Sequence, residues 1–352
     1  MVINRQFWQG RNVFLTGCTG FKGGWLALWL SQAGARVIGY SLDAPTTPNF
    51  YEAVNLRQRL TALHVADVRD LASVERAMRD AQPSVVIHMA AQSLVHHSYE
   101  FPLETFSSNV MGVANVLEAS RRVESIEAVI VVTTDKCYEV QELQRPYQEE
   151  DRLGGHDPYS SSKACAELVT EAFRRSFFEH SGVALATVRA GNVIGGGDWA
   201  QNRLVPDFFR SVEQGQSLAV RRPGATRPWQ HVLEPLSGYL LLAEKLVSAG
   251  FEFATAWNFG PDEGSVKTVG WVSDYLSQKV KGASWAQDKR QHPHETEILS
   301  LDSEKAVSAL GWQPRWSIET ALDATIAWYE AQQQLRSMDE YSLSQILLFE
   351  SA

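Results

Sequence analysis

The chain has 352 residues, 44% of them hydrophobic, which is enough to bury a full core and suits one large α/β domain with a smaller lobe attached. Its formal charge of −9 and pI near 5.5 exclude a general phosphate-backbone binder, because nucleic-acid affinity rests on clustered Lys and Arg. No run approaches the roughly 20 apolar residues of a membrane span. Met1 to Arg11 holds no apolar signal core, and Cys18, Cys137 and Cys165 cannot all pair and lack metal-ligand spacing, so a soluble cytoplasmic protein with reduced thiols is expected.

In chain order, Asn12 to Thr16 (NVFLT) predicts a buried strand, a glycine turn follows, and Trp25 to Gln32 predicts a helix closed by Gly34. Arg36 to Leu42, Leu63 to Ala66, Ser84 to His88, Ala128 to Thr133 and Ala184 to Arg189 are short, apolar and rich in β-branched residues. Helix-length polar-apolar patterns separate them. This alternation predicts an α/β fold with a doubly wound parallel sheet. After Ala190 the texture changes to glycines 191, 195, 196 and 197, Trp199, prolines 206, 223 and 228, and several arginines. Thr255 to Gly260 reads as a strand returning to the sheet, and the stretch from about Gly264 onward reads as helical. The expected division is 1–190 as a dinucleotide-binding domain, joined by return elements at about 230–262, with 191–229 and 263–352 as a substrate lobe.

Three motifs carry chemistry. The turn Gly17-Cys18-Thr19-Gly20-Phe21-Lys22-Gly23 stands between a strand and a helix, where glycines let backbone approach a pyrophosphate and helix N–H groups face its charge. A ligand-free tight turn is the alternative. Asp67 and Val68 after the third strand are placed toward the adenine. In His88-Met89-Ala90-Ala91-Gln92, small residues stand where a cofactor would pass the fourth strand. The second strand ends Tyr40-Ser41-Leu42-Asp43 with no arginine for a 2′-phosphate, which favours NAD over NADP. Tyr159 and Lys163 lie four apart on one helix face, where an ammonium is expected to lower the phenol pKa and let it take a hydroxyl proton. Thr134 can hydrogen-bond the same hydroxyl. Asp135 and Lys136 add an acid and a base that simple hydride transfer does not need, unless they are a strand-end ion pair.

The order TGxxGFxG, Asp67, Ala90-Ala91, Thr134 and YxxxK resembles the extended short-chain dehydrogenase/reductases over nearly the whole chain. That resemblance implies a Rossmann sheet, NAD, and nucleotide-sugar chemistry of the kind used in deoxysugar and lipopolysaccharide O-antigen biosynthesis. The sugar-nucleotide 4,6-dehydratases of this family carry Thr-Asp-Glu, whereas this chain has Thr134-Asp135-Lys136, so Lys136 is expected to replace the glutamate as C5 base. The runs TTDKCYE, PYSSSKACAE, RAGNVIGGGDWAQNRLVPD and RPWQHVLEPLSGYL are similar to the branch acting on CDP-glucose. By the same resemblance Ser93, Asn192, Arg203, Leu204, Arg227 and His294 are expected to bind the nucleotide-diphosphate sugar. Arg290 and His292 are alternatives to His294 for a phosphate. The family also implies a homodimer built on the Tyr159 helix and the helix before it.

No metal is expected. A site from His292, His294 and Glu295 lacks an HExxH helix, and the chemistry needs none. Trp25, Trp29 and Trp312 read as core, and Trp199, in the glycine-rich loop, as a candidate to stack on a base. Two alternatives stay open. One is a nucleotide-sugar 4-epimerase or a dehydratase of a UDP-, GDP- or dTDP-sugar; the UDP-sugar dehydratases are expected to have a shorter interval than the 24 residues from Asp135 to Tyr159. The other is a non-catalytic dinucleotide sensor, which has no need of Tyr159 and Lys163.

Overall fold

A computed structural model describes residues 3–141, 145–290 and 300–352. In chain order it contains β1 (Asn12–Thr16), α1 (Phe21–Gln32), β2 (Arg36–Ser41), β3 (Ala62–Val65), α2 (Leu71–Ala81), β4 (Val85–His88), α3 (Gly112–Ser120), β5 (Ala128–Val132), α4 (Pro158–Ser176) and β6 (Ala184–Ala190). It continues with β7 (Asn192–Ile194), α5 (Leu204–Glu213), β8 (Leu218–Val220), β9 (Thr226–His231), α6 (Leu233–Ala249) and β10 (Ala256–Phe259). Last come β11 (Val266–Thr268), α7 (Val269–Lys279), β12 (Trp285–Gln287), α8 (Ile318–Gln333) and α9 (Met338–Ser351).

Seven parallel strands form the main sheet in the order β10-β6-β5-β4-β1-β2-β3. Strands buried on both faces must be apolar throughout, which is why β4 (VVIH) and β5 (AVIVV) show no alternation. One face packs on Trp25, Leu28 and Trp29 of α1 with Leu236 and Leu240 of α6; the other packs on Val74 and Met78 of α2 with Val116 and Leu117 of α3. Strand order reverses between β1 and β4, so their carboxyl ends open the crevice where ligands of such sheets bind.

The expected strands appear within one or two residues. The first helix starts at Phe21 rather than Trp25, because Phe21-Lys22-Gly23 belongs to its first turn, and the weak helix formers Gly23 and Gly24 hide that start in the sequence. Smaller sheets, β11-β9-β7 and β12-β8, lie beyond the main one. A single residue, Gly191, separates β6 from β7, so the chain leaves the large sheet for the small one in one step.

The stretch read as a helical lobe after Gly264 also holds the two short strands β11 and β12, and its last helix reaches α1. Trp29 Nε1 of α1 donates to Glu350 Oε1 at 2.8 Å, Phe349 meets Trp29 edge-on at 5.7 Å, and Arg59 pairs with Asp339 at 2.5 Å. The same helix also packs on α8, where Trp328 Nε1 donates to Ser342 Oγ at 2.9 Å and Gln345 Nε2 donates to the Ala324 carbonyl at 2.7 Å, so α9 joins α8 to α1. Trp199, half-buried, packs edge-on against Trp328 (5.6 Å) and Tyr329 (5.9 Å). Among the described residues no helix is long and apolar enough to cross a membrane.

Candidate active site

The glycine turn leaves β1 through Gly17, whose φ of +77° lies in the left-handed region. A Cβ there would sit 2.8 Å from the Ala90 nitrogen, and one on Gly23 would sit 2.1 Å from the Gly17 carbonyl oxygen. The turn is thus closed tightly on itself and on the β4 exit, with the α1 N-terminus above it. Thr19 and Ser41 hydroxyls meet at 2.6 Å, and Thr19 also donates to the Leu42 carbonyl, joining the turn to the end of β2. Asp43 lies exposed two residues past β2, and Phe21 and Gly20 are half-buried.

The β4 exit is stitched to β1 by one hydroxyl. Thr16 Oγ1 accepts from the Met89 and Ala90 N–H groups, both at 3.0 Å, so its own proton goes to His88 Nδ1 at 2.7 Å. Burial pushes His88 down to about 3, with help from the Lys163 charge, so the imidazole is neutral and can accept. Gln92 is consumed internally: its amide binds Leu94 and Thr105, and its backbone exchanges two bonds with Asn109, which donates on to Ser162 of α4. Its neighbours Ala90 and Ala91, also expected at the cofactor, are both half-buried. The Asp67 carboxylate is taken by Arg69 (2.5 and 2.9 Å), which holds its pKa down, and Val68 is buried against Gly112.

The acid/base segment begins where β5 ends. Thr134 caps a 3₁₀ turn, Asp135–Cys137, with its hydroxyl 3.4 Å from the Lys136 nitrogen and 3.0 Å from Asp135 Oδ1. The same hydroxyl faces the Tyr159 phenol and opposes the rise of its pKa. Asp135 is buried, and its Oδ2 has no hydrogen-bond partner among the described residues. Burial raises its pKa against the opposing charge of Lys136. Gly191 roofs this carboxyl: a Cβ there would stand 3.1 Å from Asp135 Oδ2 and 2.7 Å from Pro228 Cγ. Lys136 itself is half-buried.

Helix α4 delivers Tyr159 and Lys163 from a firm start. Asp157 caps it, accepting from the Ser160 nitrogen at 2.9 Å, and Pro158 occupies the first turn. The expected lowering of the phenol by Lys163 is not what the structure shows. Burial pushes Tyr159 up to about 12, and Lys163 Nζ donates to the Val132 carbonyl at 3.1 Å instead. Lys163 is itself pulled down to about 8 by burial, with Glu167 opposing the fall. Lys22 reaches in from α1, donating to Tyr239 at 2.7 Å; burial and the charges of Lys163 and Arg203 bring it down to about 7.

Of the expected substrate residues, Arg203 and Ser93 come together at 3.3 Å, with Asp198 holding the same guanidinium at 3.1 Å. Arg227 is buried on β9 within electrostatic reach of Asp135 and donates to the Thr226 carbonyl at 2.9 Å. Asn192 opens β7 just past Gly191, and Leu204 opens α5. His294, with His292 and Glu295, lies outside the described residues. Among the described residues no cluster of three or more His, Cys, Asp or Glu could hold a metal.

Sequence reasoning missed Gly191, Tyr239 and a buried pair behind the site, Glu167 and Arg189. The pair had a signal. Glu167 continues the Tyr159, Lys163 spacing by another four residues on the same helix face, and Arg189 interrupts an apolar strand, where a charge requires a partner.

The comparisons agree with this geometry. The family model described as GDP-mannose 4,6 dehydratase matches residues 14–325. The chain belongs to the GDP-mannose 4,6-dehydratase family. A relative within reach of this family, CDP-glucose 4,6-dehydratase of Salmonella typhimurium, is 49% identical over 336 residues, covering 94% of this chain and 93% of the relative. The dTDP-glucose 4,6-dehydratase of Xanthomonas campestris pv. campestris is 25% identical, covering 90% and 92%. Among solved structures, a dTDP-glucose 4,6-dehydratase from Bacillus anthracis in complex with NAD is 22% identical, with a TM-score of 0.76, and covers 94% of this chain and 100% of that one. An epimerase from Methanothermobacter thermautotrophicus, also 22% identical, reaches a TM-score of 0.81 over 95% and 97%. At those identities the two structures establish the shared fold.

Proposed function

We infer that this member of the GDP-mannose 4,6-dehydratase family dehydrates CDP-D-glucose to CDP-4-dehydro-6-deoxy-D-glucose with NAD. The observation that carries the chemistry is Asp135: a buried carboxyl with an oxygen that has no hydrogen-bond partner among the described residues and a raised pKa, beside Lys136 and bonded to the Thr134 hydroxyl. Burial shifts this carboxyl toward its protonated form, the form that can donate to a leaving hydroxyl. The base preference for cytosine rests on the 49% identity to the Salmonella enzyme.

Gly17, Thr19, Gly20, Phe21, Lys22 and Gly23 would hold the pyrophosphate. Ala90 and Ala91 would line the passage of the cofactor, Asp43, Asp67 and Val68 its adenosine end, and Tyr159 and Lys163 its nicotinamide ribose. The cradle that a Cβ would fill at Gly17 and Gly23 fits that group. When bound, NAD supplies the hydride acceptor at C4 and the hydride donor at C6.

Tyr159 takes the C4 hydroxyl proton, with Thr134 orienting that hydroxyl. The 4-ketone acidifies C5, Lys136 removes the C5 proton, Asp135 protonates the departing C6 hydroxyl, and Lys136 returns its proton to C5 as C6 is reduced. Since Tyr159 rests as a neutral phenol, it acts as base only when cationic charge gathers around it, and Arg203 already contributes in that sense. Asn192, Arg203, Arg227 and Ser93 would grip the diphosphate and its nucleoside, and Leu204 would pack on the base. A −2 diphosphate on an acidic chain needs such local arginines.

The decisive experiment incubates the protein with CDP-glucose and measures product mass. Loss of one water without build-up of NADH is expected. An unchanged mass with an altered sugar would mean epimerisation, and no reaction with any nucleotide sugar would mean a sensor. The same reading includes a homodimer, supported by exposed Leu103, Met111 and Leu168 around α3 and α4, and a cytoplasmic setting in keeping with three free thiols. Sedimentation of the intact protein tests the first: a monomer at all concentrations would overturn it.

A further inference from the structure

Behind the acid/base segment lies a buried ion pair that the proposed steps do not use. Arg189 of β6 and Glu167 of α4, 3% and 4% exposed, meet in a bidentate fork: Nε to Oε1 at 2.8 Å and Nη2 to Oε2 at 2.9 Å. Stability alone does not explain such a pair, since apolar residues of similar volume often serve as well or better. Its remaining hydrogen-bonding capacity is all directed at neighbours. Glu167 Oε1 accepts from Thr133 Oγ1 at 2.5 Å, and Oε2 accepts from Thr187 Oγ1 at 2.7 Å. Arg189 Nη1 donates to Tyr138 Oη at 2.8 Å and to the Glu149 carbonyl at 2.9 Å. Tyr138 passes its own proton to Asn258 Oδ1 of β10 at 2.7 Å.

The partners have a pattern. Thr133 and Tyr138 bracket Thr134-Asp135-Lys136-Cys137, one on each side, and both are tied to the same pair. Glu167 also stands one helical turn beyond Lys163, two beyond Tyr159. One fork thus joins the strand end that carries the acid and base to the helix that carries the oxidising pair.

We propose that Glu167 and Arg189 are positioning residues that hold Asp135 and Lys136 in register with Tyr159 and Lys163, so that elimination can follow oxidation on one bound sugar; the inference rests on the dehydration reading above. Oxidation at C4 needs α4 and its cofactor contacts. Elimination needs, in addition, that the 134–136 turn stand at the right distance from C5 and C6, and a displacement of about 1 Å can cost on the order of 10²-fold in rate. Loosening the anchors should therefore slow the second step more than the first.

Two mild variants of the NAD-loaded protein test this. Tyr138→Phe removes one hydroxyl but keeps the ring beneath Arg189 (4.9 Å) and stacked on Tyr147 (4.9 Å), while Nη1 retains Glu149. Thr133→Val removes the opposite anchor at equal volume. With CDP-glucose, each is expected to lower kcat roughly 10-fold or more with KM unchanged, and bound NADH should accumulate in a single turnover as oxidation outruns elimination. Thr133→Ser, which restores the hydroxyl, should restore the rate. Native turnover in both variants, or oxidation and elimination slowed equally with KM rising, would overturn the proposal. An unmodified protein that converts no nucleotide sugar would instead overturn the functional reading, and this inference with it.

Discussion

The turn above β1 and the turn above β5 sit at the same end of one parallel sheet and are built on opposite principles. Gly17 to Gly23 is shaped by what is missing: side chains that would strike Ala90 or the Gly17 carbonyl. Thr133 to Tyr138 is shaped by what is present, a set of buried hydroxyls, carboxyls and a guanidinium whose hydrogen bonds are nearly all met. The first should fail when atoms are added. The second should fail when polar atoms are lost.

The sharpest test removes the chemistry itself. Lys136→Ala or Asp135→Asn should slow water loss by about 10²–10⁴-fold while C4 oxidation persists, so bound NADH should appear without 4-keto-6-deoxy product. Full turnover by Lys136→Ala would remove Lys136 as the C5 base. Next, Arg189→Met leaves the Glu167 carboxylate buried without its partner and should lower unfolding stability by about 3–5 kcal/mol in a denaturant titration. Adding Glu167→Gln should recover most of the loss; if the double variant is no better, charge is not what holds this turn.

On the other side of the comparison, Gly23→Ala places a methyl 2.1 Å from the Gly17 oxygen and should cost about 1–3 kcal/mol together with weaker NAD binding in a titration. Unaltered affinity would mean that the turn is not closed as described. The smallest expected effect is a shift in pH dependence. Lys163 is held down to about 8 by burial, with Glu167 on its own helix opposing that fall; Lys22 from α1 and the neutral His88 from β4 also face it. A cation is needed there, so kcat should decline as pH rises through about 8. Glu167→Gln removes the charge that supports the ammonium, so its alkaline limb should move to lower pH. An unmoved limb would assign that titration to another group.

Much of the fold could be read from the chain because its strands are apolar and β-branched and its turns are marked by glycine. Both are signals set by neighbouring residues. The return of β10 to the sheet was legible for the same reason, whereas the contacts of α9 with α1 were not, because Trp29, Arg5 and Arg59 are far away in sequence. In the site, Tyr159, Lys163 and Thr134-Asp135-Lys136 announce themselves by spacing. The local partners of Gln92 and the core partners of Trp199 could not be read from the sequence, because no motif encodes them.

What the sequence by itself determined is the order of the chemistry: a glycine turn, an acid and a base, then a tyrosine and a lysine one helical turn apart. Only the tertiary structure decided their protonation and register. Burial raises Tyr159 and Asp135 and pulls Lys163 down, and a fork between residues 167 and 189 fixes the turn that holds the acid and the base. The physical reason is that backbone preference acts over a few residues of chain, while desolvation and charge act across whatever distance in sequence the fold has closed.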